Sequence, residues 1–287
     1  AAEPLPFRHD DVNVITKTLF QFRNCCDFLE EHVHNMNNQG FDFYQFDYYL
    51  TTKNSMDLWI ISYMNDLIRY YKTCMDAFNI SKAVKRVLDC VEDITNWYVK
   101  FNRDRLKGKN GSDEWAISSS VLFHVIEKWI VLAAPFTPFL AEYIYKQLNR
   151  IICASTVCTL MIKYRNRIID EIPLGLNSKE ETDFITTFAL LQKVARMVRA
   201  SRMKTATHTS SKTPIKRLEI CMNNHSDLEK IASCIDLIQA ELNVIDIAYS
   251  PLDGNMKYRI IPNKALLGKK YKKQASEIYK SLESISF

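Results

Sequence analysis

Ile60, Met64, Leu67, Tyr71, Cys74 and Phe78 recur at steps of four, three, four, three and four. That rhythm keeps one face of an α-helix apolar, whereas a strand would alternate every second residue. An apolar stripe must be buried, and the chain supplies neighbours of the same kind. Ile80, Ala83, Val87, Val91, Ile94, Tyr98 and Phe101 form a second line at helical steps after a break at Asn79. It stops at Lys107-Gly108-Lys109-Asn110-Gly111, where two glycines end the helical pattern. Asn54 or Ser55 can cap the first helix, with Asp57 in the first turn where the helix dipole favours an anion. The two lines predict an antiparallel hairpin within a bundle.

Ser112 opens a further helix to about Ala133, interrupted by Pro135 and Pro138. Thr137-Pro138 fits an N-cap with proline in the first helical position, so another helix should carry Phe139 to Leu148. An N-terminal helix from about Asp10 to Val33 makes at least five helical segments, with 35–53 as an aromatic, asparagine-rich connection. Past Arg150 the pattern changes. Strand-like runs at Val157–Tyr164, Ile215–Met222, Val244–Tyr249 and Met256–Ile261 interleave with helices at about Lys179–Met203, Ser226–Leu242 and Asn263–Ile285. The expected fold is mostly α: a helical bundle over 1–152, followed by a small α+β domain over 153–287.

Two domains suit a chain of 287 residues, and 47% hydrophobic with 25% charged residues are globular proportions. No stretch approaches the roughly 20 consecutive apolar residues of a membrane span, so no membrane partner is expected. The start, Ala1-Ala2-Glu3-Pro4-Leu5-Pro6, lacks the pattern of a secretory signal and reads as an internal cut. Eight cysteines without a Cys-x-x-Cys pair and six scattered histidines predict reduced core thiols in a cytosolic protein, with no bound metal. No Ser/His/Asp or Cys/His set stands at a catalytic spacing. The net charge of +5 is modest, but Lys193 to Arg217 holds eight basic residues and no acid. A one-sign run calls for an anionic partner, and phosphate backbone is the commonest.

The segment Val91 to Gly108 carries the chemistry. While its apolar line is buried, Asn96, Lys100, Arg103 and Lys107 fall on another face at steps of four, three and four. Aromatic rings and guanidinium groups stack on unpaired bases, amides read base edges and lysines neutralise phosphates. Trp97, Asn96 and Lys100 offer all three capacities, and Arg103 a second stacker. The competing reading is a solvated basic helix end with Trp97 in the core.

The run Asn96-Trp97-Tyr98-Val99-Lys100-Phe101-Asn102-Arg103-Asp104-Arg105-Leu106-Lys107-Gly108 resembles the anticodon-domain signature of the isoleucyl, valyl and leucyl class I tRNA synthetases, whose usual isoleucyl form is N-W-Y-V-R-x-N-R-x-R. Leu132 to Glu142 is similar to the A-P-F-T-P-F-L-A-E stretch of the same family. Thr213 to Ile220, Glu241-Leu242-Asn243-Val244 and Leu267 to Lys273 resemble segments of its eukaryotic isoleucyl branch. Leu5-Pro6-Phe7 resembles the exit from that family's catalytic domain, so the likeness spans essentially the whole chain. Phe101 and Asp104 stand where the signature is unspecified, so no contact is carried to either. Lys100 replaces an arginine, keeping the charge but losing the bidentate fork.

The resemblance implies an anticodon-binding bundle followed by an α+β appendage. The parent enzyme would be an ATP-dependent isoleucine–tRNA ligase, cytoplasmic, with ATP and Mg serving a catalytic domain beyond this stretch. Neither a His-x-Gly-His-type nor a Lys-Met-Ser-Lys-Ser-type motif occurs, and a chain with only six glycines has no substantial glycine-rich phosphate loop. This stretch is therefore expected to be catalytically inactive, free of cofactor and monomeric. Its expected partners are isoleucine tRNA, through the anticodon stem-loop, and the catalytic domain of the same parent. The expected RNA-binding residues are Asn96, Trp97, Lys100, Asn102, Arg103, Arg105 and Lys107, with Arg196, Arg199 and Arg202 extending the basic surface. The alternatives are a protein-interaction module, with the aromatic run Phe41–Tyr49 as its contact, or the equivalent region of a valyl- or leucyl-tRNA synthetase.

Overall fold

The computed structural model describes residues 9–40, 48–152, 170–204, 213–222 and 224–251, with Gln274 and Ile278. The expected strands at 157–164 and 256–261 and the helix at 263–285 lie outside these. The helices are α1 (His9–Asn38), α2 (Ser55–Asp76), α3 (Ile80–Glu92), α4 (Arg103–Leu106), α5 (Ser112–Ala133), α6 (Pro138–Ile152) and α7 (Ser178–Lys204). A π-helical segment, Asp93–Val99, continues α3, and a 3-10 turn, Tyr48–Thr51, precedes α2. After α7 come β1 (Ile215–Met222), α8 (His225–Ala232), α9 (Ile235–Leu242) and β2 (Val244–Pro251). The protein is mostly helical with a small two-stranded sheet among the described residues.

Contacts divide the chain into two units, Ala1–Gln192 and Lys193–Phe287. In the first, the stripe on α2 is buried as far as Cys74. Asn54 caps it, its side chain accepting from the Met56 amide at 2.9 Å. Phe78 departs from the expectation: α2 ends at Asp76, Phe78 takes a left-handed φ of 56° and its ring is 87% exposed. The chain turns there, which puts its side chain off the stripe. On α3, Ala83, Val87 and Val91 are buried, and Trp129 of α5 donates to the Val87 carbonyl at 2.8 Å. Phe22 of α1 meets the Trp129 ring with centroids 3.8 Å apart. By length and composition α5 could cross a membrane, but 72% of its apolar window is buried within the protein. It is the core helix of the bundle. Tyr49 is buried with its ring edge-on to His124 at 4.4 Å, while 41–47 lie outside the described residues.

The first unit reaches past 152, where the sequence reading drew the boundary, because 170–192 pack on the bundle. Asn65 of α2 accepts from the Ile172 amide at 2.7 Å and donates to its carbonyl at 2.9 Å. Arg69 pairs with Glu171 at 2.6 Å and Glu181 at 2.9 Å, and Trp59 stacks on Phe188 with centroids 4.6 Å apart.

In the second unit β1 and β2 run parallel, from Ile215 opposite Val244 to Met222 opposite Pro251. Parallel neighbours need a crossover, and α8 and α9 supply it. The single helix expected over Ser226–Leu242 is instead two, broken at Ser233-Cys234. Asn243 closes α9 with a left-handed φ of 50°, a conformation asparagine tolerates.

Candidate nucleic-acid interface

The signature run divides into an inner and an outer set. Inside, Asp57 of α2 is fully buried. Arg105 grips it through two nitrogens, at 2.9 Å to Oδ1 and 2.8 Å to Oδ2. Tyr98 donates to Asp57 Oδ1 at 2.7 Å, and Thr52 to Oδ2 at 2.7 Å. Arg105 also donates to Asn102 Oδ1 at 2.6 Å and, through Nε, to Glu114 of α5 at 2.7 Å. Asn102 in turn donates to the Tyr98 carbonyl at 3.0 Å. Burial alone would lower the Arg105 pKa, but its hydrogen bonds to Asp57 and that residue's charge raise it above the ordinary guanidinium value. Burial, then the charge of Asp57, pushes the Tyr98 phenol well up.

These contacts correct three expected RNA contacts. Asn102 and Arg105 are buried at 2% and 7% exposure and are spent on the network, so neither offers its side chain to RNA. Trp97 is 2% exposed and stacks on Phe101 at 5.8 Å between centroids, so its ring serves packing and not an unpaired base. The arginine fork matched to a carboxylate is what the buried position demands.

Outside, Asn96, Lys100, Arg103 and Lys107 are all exposed. The π-helical turn carries Asn96, and such turns, uncommon in helices, cluster at functional sites. Gly108 ends the face with φ 73°; a Cβ there would meet the Trp115 ring at 2.8 Å, so the chain turns directly over that indole.

Two contributions from α1 have no trace in the linear pattern, because they lie some 70 or more residues away in sequence. His32, half-buried and edge-on to Phe28 at 4.2 Å, senses the charges of Lys107 and Arg103. Its pKa is lowered by burial first, with Glu31 opposing and the two cations adding to the fall. Further up α1, Gln21 lines a groove shared with Asn96.

In the second unit Arg196 and Arg199 are exposed, and Arg199 pairs with Glu241 of α9. Arg202 is buried and donates to the Leu242 carbonyl, so it fastens α7 to α9, which corrects its expected place on a basic surface. Among the described residues no three His, Cys, Asp or Glu side chains converge as a metal site.

Comparison with known proteins gives the geometry its family. The family described as the anticodon-binding domain of tRNA ligase matches residues 57–219. The cytoplasmic isoleucine–tRNA ligase of Saccharomyces cerevisiae is 30% identical over 292 residues, covering 99% of this chain and 27% of that protein. Its Schizosaccharomyces pombe counterpart is 29% identical over 297 residues, with the same coverages, and that of Mus musculus 26% over 294, covering 99% and 23%. The chain thus spans about a quarter of the length of these relatives. The family match begins at Asp57, the buried anchor of the signature, and takes in more than half the chain; the chain belongs to the anticodon-binding domain family of the tRNA ligases.

Proposed function

We propose that this chain is the tRNA-anticodon-binding part of a cytoplasmic isoleucine–tRNA ligase, receiving the anticodon stem-loop on the face of Asn96, Lys100, Arg103 and Lys107. The observation that carries the reading is the division of the signature. Its inner residues lock the helix end to α2 and α5 through Asp57, and its outer residues present an amide and three cations to solvent.

A rigid platform loses little conformational entropy when a strand docks on it, and exposed cations gain affinity by releasing counterions. On this reading Lys100, Arg103 and Lys107 hold phosphates, Arg103 can stack on a base, and Asn96 hydrogen-bonds a base edge. Arg196 and Arg199 are basic groups of the second unit that can add phosphate contacts. Ligation itself, with its ATP and Mg, belongs to a catalytic domain of the same parent, so this stretch would bind but not aminoacylate. The names of the relatives favour isoleucine over valine or leucine.

The test is binding of this chain to isoleucine tRNA and to a non-cognate tRNA at two salt concentrations. Salt-sensitive binding that favours the isoleucine tRNA is expected. Equal binding to both would contradict recognition by this part of the protein.

A further inference from the structure

One groove adjoins the outer face and shares Asn96 with it. It lies between α1 and α3, with a volume of about 280 Å³, and Asn96 forms one wall. Gln21 of α1 also lines it and is exposed. Val14, Ile15 and Leu88 give it an apolar lining, and Val14 is 66% and Ile15 46% exposed. Its charged members are Lys85, Asp89 and Glu92, a net negative set.

That composition selects among the parts of an RNA strand. Two carboxylates against one ammonium repel a phosphate. A neutral base is welcome on each count: its face covers apolar side chains, its edge meets the amides of Gln21 and Asn96, and an exocyclic amino group can donate to Asp89 or Glu92.

The spacing fits a strand held elsewhere. Asn96 precedes Arg103 by seven residues, and His32, which senses Arg103 and Lys107, follows Gln21 by eleven. So α1 runs beside the signature helix, with the groove at one end and the cations at the other.

Building on the anticodon-binding reading, we propose that this groove receives one unstacked nucleobase of the bound RNA, its edge hydrogen-bonded by Gln21 and Asn96 while Arg103 and Lys107 hold flanking phosphates. Helix α1 is then the second wall of the RNA site, and the groove is where a base is distinguished.

The test uses this chain with the anticodon stem-loop of isoleucine tRNA and a set of the same RNAs carrying an abasic sugar at each loop position in turn. For the unmodified protein, one abasic RNA should bind about tenfold more weakly than the intact stem-loop. The Gln21→Ala/Asn96→Ala variant should lose about as much on the intact RNA and no longer distinguish the two. Gln21→Ala alone, on a regular helix away from the π-helical turn, should shrink the discrimination in the same direction.

By contrast, Arg103→Ala/Lys107→Ala should weaken every RNA alike and keep the discrimination. Overturning results are equal binding of all abasic RNAs by the unmodified protein, or discrimination that survives in the Gln21→Ala/Asn96→Ala variant. Either would leave the phosphate-binding face standing and hand the apolar walls of the groove to another occupant, such as a protein segment. Failure of the unmodified protein to bind any of these RNAs at low salt would overturn the anticodon reading and the groove together.

Discussion

Two arginines two residues apart have opposite jobs. Arg103 is exposed, whereas Arg105 is 7% exposed and bonded to Asp57, Asn102 and Glu114. Arg105→Ala would leave the Asp57 carboxylate buried without its counter-charge, so a loss of about 3–5 kcal/mol of stability is expected in denaturant titration. Arg103→Ala should cost less than about 0.5 kcal/mol, as surface changes do. Equal costs would contradict the inner and outer division. The spacing of Asn96, Lys100, Arg103 and Lys107 was enough to read the outer set from the sequence. The roles of Asn102 and Arg105 were not readable that way, because Asp57 and Glu114 come to them from other helices, and only the fold brings the four together.

At the scale of elements, α1, α2, α3, α5, α6 and α7 were located close to their observed limits, α2 and α3 by apolar periodicity and α5 and α6 by cap and proline signals. What it missed were departures from regularity. The turn at Phe78, the π-helical widening at Asp93–Val99 and the break at Ser233-Cys234 change backbone geometry without changing which residues are apolar. The groove between α1 and α3 was equally hidden, because its walls come from helices distant in sequence.

For the whole molecule, the unit boundary could not be read from composition alone. The 170–192 stretch looks like the start of the appendage, yet it packs on α2 through Asn65, Arg69 and Trp59. A global consequence follows from the buried thiols. Burial raises Cys25 to about 12, and Cys26 and Cys90 also lie well above the ordinary thiol value, as does Tyr98 among phenols. In the unfolded chain thiols lose protons from about pH 8.5 and tyrosines from about pH 10. The folded state holds these protons longer, so their contribution is fully present below the unfolded values and falls as pH rises past them. Urea titrations at pH 7.5, 9 and 10 should therefore show stability declining through the series, each such thiol approaching about 1.4 kcal/mol per pH unit once above its unfolded value. Constant stability across that range would mean the thiols are not sequestered as described.

The central claim is that RNA phosphates dock on the exposed side of the signature helix. Its most direct test is the salt dependence of isoleucine tRNA binding by this chain and by its Arg103→Ala/Lys107→Ala variant. Two lost phosphate contacts should lower the slope of log K against log salt by about 1.5 and weaken binding severalfold, with the folded state intact. Identical slopes and affinities for the two proteins would contradict the claim and move the RNA to another surface.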